Sequence, residues 1–155
     1  MTPAIEQAKR AKIEYTLHEY EHDPASDSYG LEAARKTGVP GSRVFKTLIV
    51  ELAGSGLAVG IVPVSAMLNL KSIAREAGTK KAVMAAAADV ERSTGYVLGG
   101  VSPLGQKRKL KTYIDLSATD FPTIFVSAGR RGLEIELSPR DLARLTRGIF
   151  ASICQ

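Results

Sequence analysis

The chain is poor in the residue types that most often carry catalysis. Its 155 residues include no tryptophan, one cysteine and two histidines. The cysteine, Cys154, stands next to the C-terminus, so no disulfide can form within the chain, and we expect a reducing, cytoplasmic setting. A catalytic cysteine needs a positioned base and an ordered pocket, which makes Cys154 a poor candidate for a nucleophile.

Long apolar runs are also missing. Glu6, Lys9, Arg10 and Lys12 interrupt the apolar residues near the N-terminus, which leaves no segment typical of a signal peptide. No run approaches the length that crosses a bilayer, so no membrane association is expected. The length fits one domain over residues 1–155, large enough to bury a core without disulfides or metals.

Basic residues are in excess. The net charge is +5 and the isoelectric point is near 9.4. Part of the excess is clustered, in Lys107-Arg108-Lys109 with Lys111, in Arg130-Arg131 and in Lys80-Lys81. Such clusters fit a polyanionic partner, although solvated surface turns produce the same pattern.

Two motifs resemble known catalytic signatures and fail on context. The segment from His18 to His22 reads His-Glu-x-x-His, but β-like residues precede it and Asp23-Pro24 follows. Residues four apart on a strand are about 13 Å apart, too far to share a zinc ion. With both histidines in this one segment and no Gly-x-Ser-x-Gly elbow, a Ser-His-Asp triad is not indicated either. We therefore expect neither a metal nor a cofactor.

The second motif lies in the segment 92–105, which holds four glycines and one proline. Its Gly100 to Gly105 spacing matches a phosphate-binding loop, but Gln106-Lys107 follows where Lys-Ser or Lys-Thr is required. Nucleotide hydrolysis is thus not indicated. Gly99 and Gly100 follow an apolar run, which marks either a strand that ends in a turn or a close backbone approach by a ligand.

Helices and strands are predicted to alternate. Helix starts are expected after Thr2, after Asp27 or Ser28, after Asn69, near residue 86 and after Ser138. Strands are expected over 13–22, 44–52, 57–62, 82–84, 123–127 and 133–137. Because the glycine-containing turns at 54–56 and 129–132 predict hairpins, we expect a single α/β domain with a curved, mixed β-sheet surrounded by helices.

Lys46 is the most unusual residue of the predicted strands. Period-two alternation places it on one face with Val44, Leu48 and Val50. A lysine on an apolar face indicates either a functional site or an edge-strand side chain whose amine reaches water. In the strand 133–137, by contrast, Glu134 and Glu136 alternate with apolar residues, and this pattern predicts two solvated glutamates.

Taken together, these segments resemble the YbaK family of bacterial trans-editing proteins, the Cys-tRNA(Pro) deacylases, which are related to the editing domain of prolyl-tRNA synthetase. The matching blocks, in chain order, are Tyr20 to Pro24, Val44 to Leu48, Arg92 to Tyr96, Gly99 to Lys107 and Arg131 to Leu137. The resemblance implies the fold of that family and hydrolysis of the ester that joins a wrong amino acid to the 3′ end of a tRNA.

The resemblance also implies a site. Lys46 would hold the terminal nucleotide, and backbone groups of Gly99 and Gly100 would shape the pocket or stabilise an oxyanion. The substrate-binding residues would be Tyr20, Tyr29, Thr47, Ser127 and Glu134. Two of these depart from the family pattern, in which position 29 is commonly phenylalanine and position 134 is often aspartate.

Three functions remain open on these grounds. The first is a Cys-tRNA(Pro) deacylase in which the thiol of the substrate attacks its own ester carbonyl, so that the enzyme supplies geometry. The second is an Ala-tRNA(Pro) deacylase with the same fold and lysine. The third is a non-catalytic module that binds tRNA or a synthetase. The implied partners are the acceptor end of an aminoacyl-tRNA and prolyl-tRNA synthetase.

Overall fold

The computed structural model describes all 155 residues, which form five α-helices, one 3-10 helix and eight β-strands. The α-helices are α1 (Pro3–Ala11), α2 (Tyr29–Thr37), α3 (Leu70–Glu76), α4 (Ala87–Thr94) and α5 (Pro139–Thr146), and the 3-10 helix is Leu116–Asp120. The strands are β1 (Thr16–Glu19), β2 (Phe45–Leu52), β3 (Gly56–Pro63), β4 (Ala82–Met84), β5 (Lys111–Asp115), β6 (Ile124–Arg130), β7 (Leu133–Leu137) and β8 (Ile149–Ala151). None of the helices has the length and apolar character needed to cross a membrane.

The strands form two sheets. The larger has the order β4-β2-β3-β5-β8; its β4-β2-β3 part is antiparallel, and β5 and β8 add in parallel. The smaller is antiparallel with the order β1-β7-β6. A parallel bridge between Val44 and Phe125 links the two, supported by a hydrogen bond from Phe125 N–H to the Arg43 carbonyl at 3.1 Å. The start of β2 thus lies beside β6.

The predicted mixed α/β architecture is confirmed, as are both hairpins, β2-β3 and β6-β7. The sheet is divided, however, and two of its strands were not predicted. β5 follows directly on the lysine-rich stretch, and β8 has only three residues, so neither carries a clear period-two pattern. The strand expected over 13–22 is reduced to the four residues of β1, the length that pairs with β7.

Helix starts follow the predicted caps. The side chains of Thr2, Ser28, Asn69 and Ser138 each accept a hydrogen bond from a backbone N–H in the first turn of the helix that follows. Gly38 ends α2 in the left-handed conformation, with φ of 72°. The cap at Ser28 sets where α2 begins and so places Tyr29 at its first turn.

The apolar core lies in three clusters. The largest packs the sheets against α1, α4 and α5, and the second packs α3 against the larger sheet. The smallest joins α2 to the bridge between the sheets, through Ala33, Ala34, Val44, Val64 and Phe125, with Tyr20 packed against it. Ala33 and Val44 of this third cluster also line a cavity between β2 and α2.

Candidate active site

A cavity of about 300 Å³ opens where β2, the β6-β7 hairpin, the start of α2 and the glycine segment meet. Seven of the eight residues named from the sequence line it: Tyr20, Tyr29, Lys46, Thr47, Gly99, Ser127 and Glu134. The eighth, Gly100, is buried behind the wall. The fold therefore gathers residues from across 115 positions of the chain, Tyr20 to Glu134, into one concave site.

Lys46 is half-buried at the start of β2 and lines the cavity. Its amine makes no ion pair and no hydrogen bond within the protein; the seven ion pairs of the chain all involve other side chains. A cation held in a cavity without a partner is costly unless a ligand or water supplies one. Lys46 is therefore a candidate contact for an anionic group.

Thr47, the next residue, carries the one buried side-chain oxygen of the protein that has no hydrogen-bond partner, Oγ1. Leaving such a hydroxyl unpaired costs about 1–3 kcal/mol. Because Thr47 also lines the cavity, a bound molecule that reaches this oxygen would satisfy it. Lys46 and Thr47 are thus two consecutive residues whose polar groups have no protein partner.

Glu134 is buried, with 6% of its surface exposed, so the expectation of a solvated glutamate at this position was wrong. β7 is the central strand of the smaller sheet and four of its five residues are buried, so it lacks the solvent face that alternation assumes. Burial raises the pKa of Glu134 to about 8. At neutral pH this carboxyl is largely protonated and can donate a hydrogen bond into the cavity.

Glu136 also departs from that expectation, because it is held by other side chains rather than by water. Its carboxylate lies 2.9 Å from His18 Nε2, 3.2 Å from an Arg43 guanidinium nitrogen and 2.5 Å from the Thr123 hydroxyl, which donates to it. The Thr123 hydrogen bond, with His18 and Arg43, lowers the pKa of Glu136 despite partial burial. The pKa values of the two glutamates of β7 are thus shifted in opposite directions.

Tyr20 lies at the cavity wall beside Glu134. Its backbone N–H donates to the Gly132 carbonyl at 2.9 Å, which fixes the end of β1 against the β6-β7 turn. Burial, with the nearby Glu134 charge, raises the pKa of the Tyr20 phenol. Tyr20 therefore stays a neutral hydroxyl that can donate or accept a hydrogen bond.

Gly99 is covered by a stack of two side chains. The Arg131 guanidinium lies 3.8 Å from the centre of the Tyr29 ring and donates to the Leu98 carbonyl at 3.1 Å. Gly99 has φ of +89°, and a Cβ there would come within 2.7 Å of both the Arg131 and the Tyr29 side chains. Only glycine fits this position, because a side chain would be strained and would displace the stack.

The two glycines have different hydrogen bonds. Gly100 N–H donates to the Val97 carbonyl at 3.0 Å, so it closes a turn and is not free for a ligand. A Cβ at Gly100 would meet the Arg130 backbone at 3.0 Å, which gives this glycine a packing role. Gly99 N–H has no acceptor within the protein. Of the two, only Gly99 presents a free donor at the cavity.

Ser127 shows no sign of an activated hydroxyl. Its Oγ accepts a hydrogen bond from Gly129 N–H at 3.1 Å and lies at the irregular end of the β6-β7 pairing. No histidine and no cysteine lines the cavity. None of the cavity's titratable side chains is hydrogen-bonded to Ser127 Oγ, so the structure shows no base paired with this hydroxyl.

Comparisons with known proteins identify the family of the chain. The family profile described as "aminoacyl-tRNA editing domain" matches residues 23–145, most of the chain. The chain belongs to the aminoacyl-tRNA editing domain family. A protein of Enterococcus faecalis named as a proposed Cys-tRNA(Pro)/Cys-tRNA(Cys) deacylase, EbsC, is 38% identical over 153 residues, which cover 98% of this chain and 92% of EbsC.

Solved structures share the fold. The crystal structure of the hypothetical protein APE2540 superposes with a TM-score of 0.88 at 27% identity, covering 99% of this chain and 100% of that one. A protein described as a proposed trans-editing enzyme for prolyl-tRNA synthetase superposes with a TM-score of 0.82 at 23% identity, covering 100% and 99%.

Arg131 lines the cavity but was not predicted as a site residue. In the sequence it belongs to the basic pair Arg130-Arg131 and opens the block from Arg131 to Leu137 that matches the family. The signal that could have found it is its place in a turn that holds two glycines, three residues before Glu134. Ser28, Leu98 and Arg130 also line the cavity and were not named as site residues.

The loop before α2 is held by a buried carboxylate. Glu32 is 1% exposed and lies 2.7 Å from both His22 Nδ1 and the donating Asp23 N–H. Burial alone would raise the pKa of Glu32, but the hydrogen bonds from His22 and Asp23, with Lys36 nearby, lower it overall. Since the His22 ring packs 5.7 Å from the Tyr29 ring, this group fixes Tyr29 in the cavity wall.

The His-Glu-x-x-His segment is accounted for by these contacts. His18 lies in β1 against Glu136, while His22 lies in the following loop against Glu32. The two imidazoles thus contact different carboxylates. No group of three histidine, cysteine, aspartate or glutamate side chains is arranged to hold a metal ion.

Cys154 lies outside the cavity. It pairs with Leu68 in an isolated bridge, and its thiol is close to Asp115. Burial and the Asp115 carboxylate raise the pKa of Cys154 to about 12. The thiol therefore stays protonated and is a poor nucleophile.

Replacing each glutamate of β7 by glutamine should change the stability of the fold in opposite directions. Because folding raises the pKa of Glu134 from 4.5 to about 8, the folded state binds more protons in this range, and stability falls as pH rises across it. Glu134→Gln removes this loss, so the variant should gain stability relative to the parent between pH 5 and 8. A shift of even two pKa units corresponds to about 3 kcal/mol.

Glu136→Gln is the matched control on the same strand. The lowered pKa of Glu136 stabilises the fold above its ordinary pKa, and that contribution is lost as pH falls. This variant should be less stable than the parent at pH 7 and approach it at low pH. Urea unfolding of the three proteins at several pH values measures both trends. A parent-like pH profile for Glu134→Gln would contradict the assignment of a buried, protonated carboxyl.

Proposed function

We propose that this protein is a trans-editing aminoacyl-tRNA deacylase that hydrolyses Cys-tRNA(Pro). The observation that carries the proposal is the cavity that joins Lys46, Thr47 and Glu134, three polar groups without protein partners, in a chain of the editing family. The name of the Enterococcus faecalis relative supports cysteine as the amino acid. A volume of about 300 Å³ suits a small amino acid together with part of a nucleoside.

Binding of the substrate is assigned to the polar groups at the start of β2. The Lys46 ammonium would pair with the phosphate of the terminal nucleotide, and Thr47 Oγ1 would gain the hydrogen bond that it lacks. The Tyr29 ring, which lies at the start of α2 and contacts Arg131 and His22, would form an apolar wall against the ligand. The contacts to Lys46 and Thr47 would give both polar groups the partners that they lack within the protein.

No histidine or cysteine lines the cavity, and no base is hydrogen-bonded to Ser127 Oγ, so the proposed nucleophile is the thiol of the substrate. In the proposed reaction the cysteine sulfur bonds to its own ester carbonyl carbon, the bond from that carbon to the ribose 3′ oxygen breaks, and the thiol proton passes to this oxygen. The thiolactone that results is then hydrolysed by water to free cysteine. The thiol and the ester already belong to one molecule, so the protein would contribute by restricting the substrate to the rotamer in which the sulfur faces the carbonyl carbon.

Two groups would stabilise the charge that develops on the carbonyl oxygen. Gly99 N–H is a donor without an acceptor, and protonated Glu134 is a second possible donor. Gly100 is not assigned this role, because its N–H is used by Val97. A protonated glutamate also avoids repelling the negative oxygen.

The proposed substrate defines the partner and the setting. Prolyl-tRNA synthetase would produce the mischarged tRNA, because a proline-shaped pocket does not exclude cysteine or alanine well. Binding to that synthetase and action in the cytoplasm are therefore part of the proposal. A pull-down with purified prolyl-tRNA synthetase, with and without tRNA, tests the first of these.

The amino acid on the tRNA decides between the candidate mechanisms. Serine is nearly isosteric with cysteine but is a far weaker nucleophile at neutral pH. Ser-tRNA(Pro) should therefore bind about as well as Cys-tRNA(Pro) and be cleaved at least a hundredfold more slowly. Ala-tRNA(Pro), which has no nucleophile, should also resist. Single-turnover deacylation of the three substrates measures the rates.

The same assay includes its control. Cys154→Ala should cleave Cys-tRNA(Pro) at the parent rate, because the thiol of the protein lies outside the cavity. Equal cleavage of the cysteine and serine substrates would indicate an activated water and would contradict thiol assistance. Preferred cleavage of alanine would favour an Ala-tRNA(Pro) deacylase. Tight binding of all three without ester loss would favour a non-catalytic module.

Removal of the Lys46 charge should lower the deacylation rate without lowering the stability of the fold. Lys46→Ala should fold as stably as the parent or more so, since a partly desolvated charge without a partner is removed. Deacylation should slow by about a hundredfold, the effect of losing about 3 kcal/mol of charged contact. Lys71→Ala, an exposed lysine of α3, is the matched control and should keep the parent rate. A folded Lys46→Ala with parent activity would refute the assigned role.

A further inference from the structure

A second cavity, which the proposed chemistry does not use, has an unusual charge. It measures about 340 Å³ and lies where the end of α5 meets the segment that leads into β5. We call it the basic groove, defined by its lining residues Gln7, Pro103, Gly105, Gln106, Arg108, Lys109, Leu110, Lys111, Thr112, Leu145, Thr146 and Arg147.

Four of these residues are cations and none is an acid. Arg108, Lys109, Lys111 and Arg147 take part in no ion pair, although five other lysine and arginine side chains and both histidines are paired with carboxylates elsewhere. The other large cavities all mix the two signs of charge. Four unpaired like charges around one concave surface repel each other and attract an anion.

The backbone of Arg147 is a second, independent observation. It caps the C-terminus of α5 in the left-handed conformation, with φ of 54° and ψ of 35°. Helices usually place glycine at such a position, because a side chain there costs about 1 kcal/mol or more. Arg147 is one of two residues other than glycine with positive φ, the other being Lys12 at the end of α1. The side chain of Arg147 is thus kept at a position that favours glycine.

The groove is built on a fixed floor. Gln7 of α1 accepts from Gly105 N–H at 2.7 Å and donates to the Leu145 carbonyl at 3.3 Å, which ties the glycine segment to α5. Gly105 itself has φ of +68°, and a Cβ there would come within 2.7 Å of Ala4 N, so the segment packs directly on α1. The cations therefore surround a preorganised surface.

We propose that the basic groove binds the phosphodiester backbone of the tRNA, apart from its aminoacylated end. This inference rests on the proposed function, which supplies a polyanionic substrate. Three of the four cations come from one short stretch and the fourth from α5, and all four are exposed, an arrangement that suits successive phosphates rather than one enclosed anion.

The distance to the active site fits this role. One segment lines both cavities, with Gly99 in the first and Gly105 in the second. Six residues span at most about 22 Å. Along one strand of a nucleic-acid helix, phosphates are about 3.4 Å apart in rise, so the edge of the groove at Gly105 lies within roughly six nucleotides of the edge of the first cavity at Gly99. The bound backbone thus belongs to the acceptor arm.

Two variants form a matched test of binding. Arg147→Gly and Lys12→Gly each remove one exposed positive charge and relieve the strain of one side chain in the left-handed backbone conformation. Only Arg147 lines the groove. Both should be at least as stable as the parent in urea unfolding. Uncharged tRNA should bind Arg147→Gly about threefold or more weakly at 0.1 M salt, with a salt slope reduced by about one. Lys12→Gly should bind like the parent. Equal weakening by both would refute the groove.

Kinetics separate this proposal from the proposed function. On full-length Cys-tRNA(Pro), Arg147→Gly with Lys109→Gln should lower kcat/KM about tenfold or more, whereas hydrolysis of 3′-cysteinyl-adenosine should change less than twofold. Equal loss on both substrates, or on neither, would overturn the groove as a backbone site. Failure of the parent to hydrolyse either substrate would overturn the proposed function, while tRNA binding would still report on the groove. Competition by millimolar inorganic phosphate as strong as that by tRNA would instead indicate a small-anion site.

Discussion

The constraint on which the site depends is the cost of keeping polar groups in a cavity without protein partners. Lys46 has no counterion, Thr47 Oγ1 has no hydrogen bond, and Glu134 is buried and protonated for lack of one. The same protein satisfies a buried carboxylate fully at Glu32, a short distance along the wall. The fold is therefore able to pair such groups, and their unpaired state at the cavity is explained if a ligand completes them.

The rest of the structure keeps this cavity open and shaped. The bridge between Val44 and Phe125 brings β2 beside the smaller sheet, which places Lys46 and Glu134 in one wall. The Arg131-Tyr29 stack covers Gly99, whose φ is positive and whose N–H has no acceptor within the protein. The glycine segment then continues into the basic groove, so one stretch of chain links the reacting end of the substrate to its backbone.

Local features were predictable from the sequence and long-range ones were not. Caps such as Ser28 and the two hairpins follow from side chains and turns a few residues apart, and the lysine of β2 was evident as an exception to its pattern. Glu134 was misjudged on pattern alone, because alternation assumes one solvent face and β7 lies between two strands in a covered sheet. Gly99 and Gly100 differ because a single turn hydrogen bond occupies the N–H of Gly100, and this bond could not be predicted from the sequence pattern.

The most direct test of the account is the titration of Glu134 with and without a ligand. Carbon-13 NMR of the Glu134 carboxyl would be followed in the free protein and with 3′-cysteinylamino-3′-deoxyadenosine, an analogue that cannot be hydrolysed. The account predicts a pKa of about 8 in the free protein. We also expect the pKa of Glu134 to change by at least about one unit when the analogue binds. An ion pair with the analogue would favour the ionised carboxylate, and a hydrogen bond donated by the neutral acid would favour the protonated form. A pKa near 4.5, or one that the analogue leaves unchanged, would contradict it.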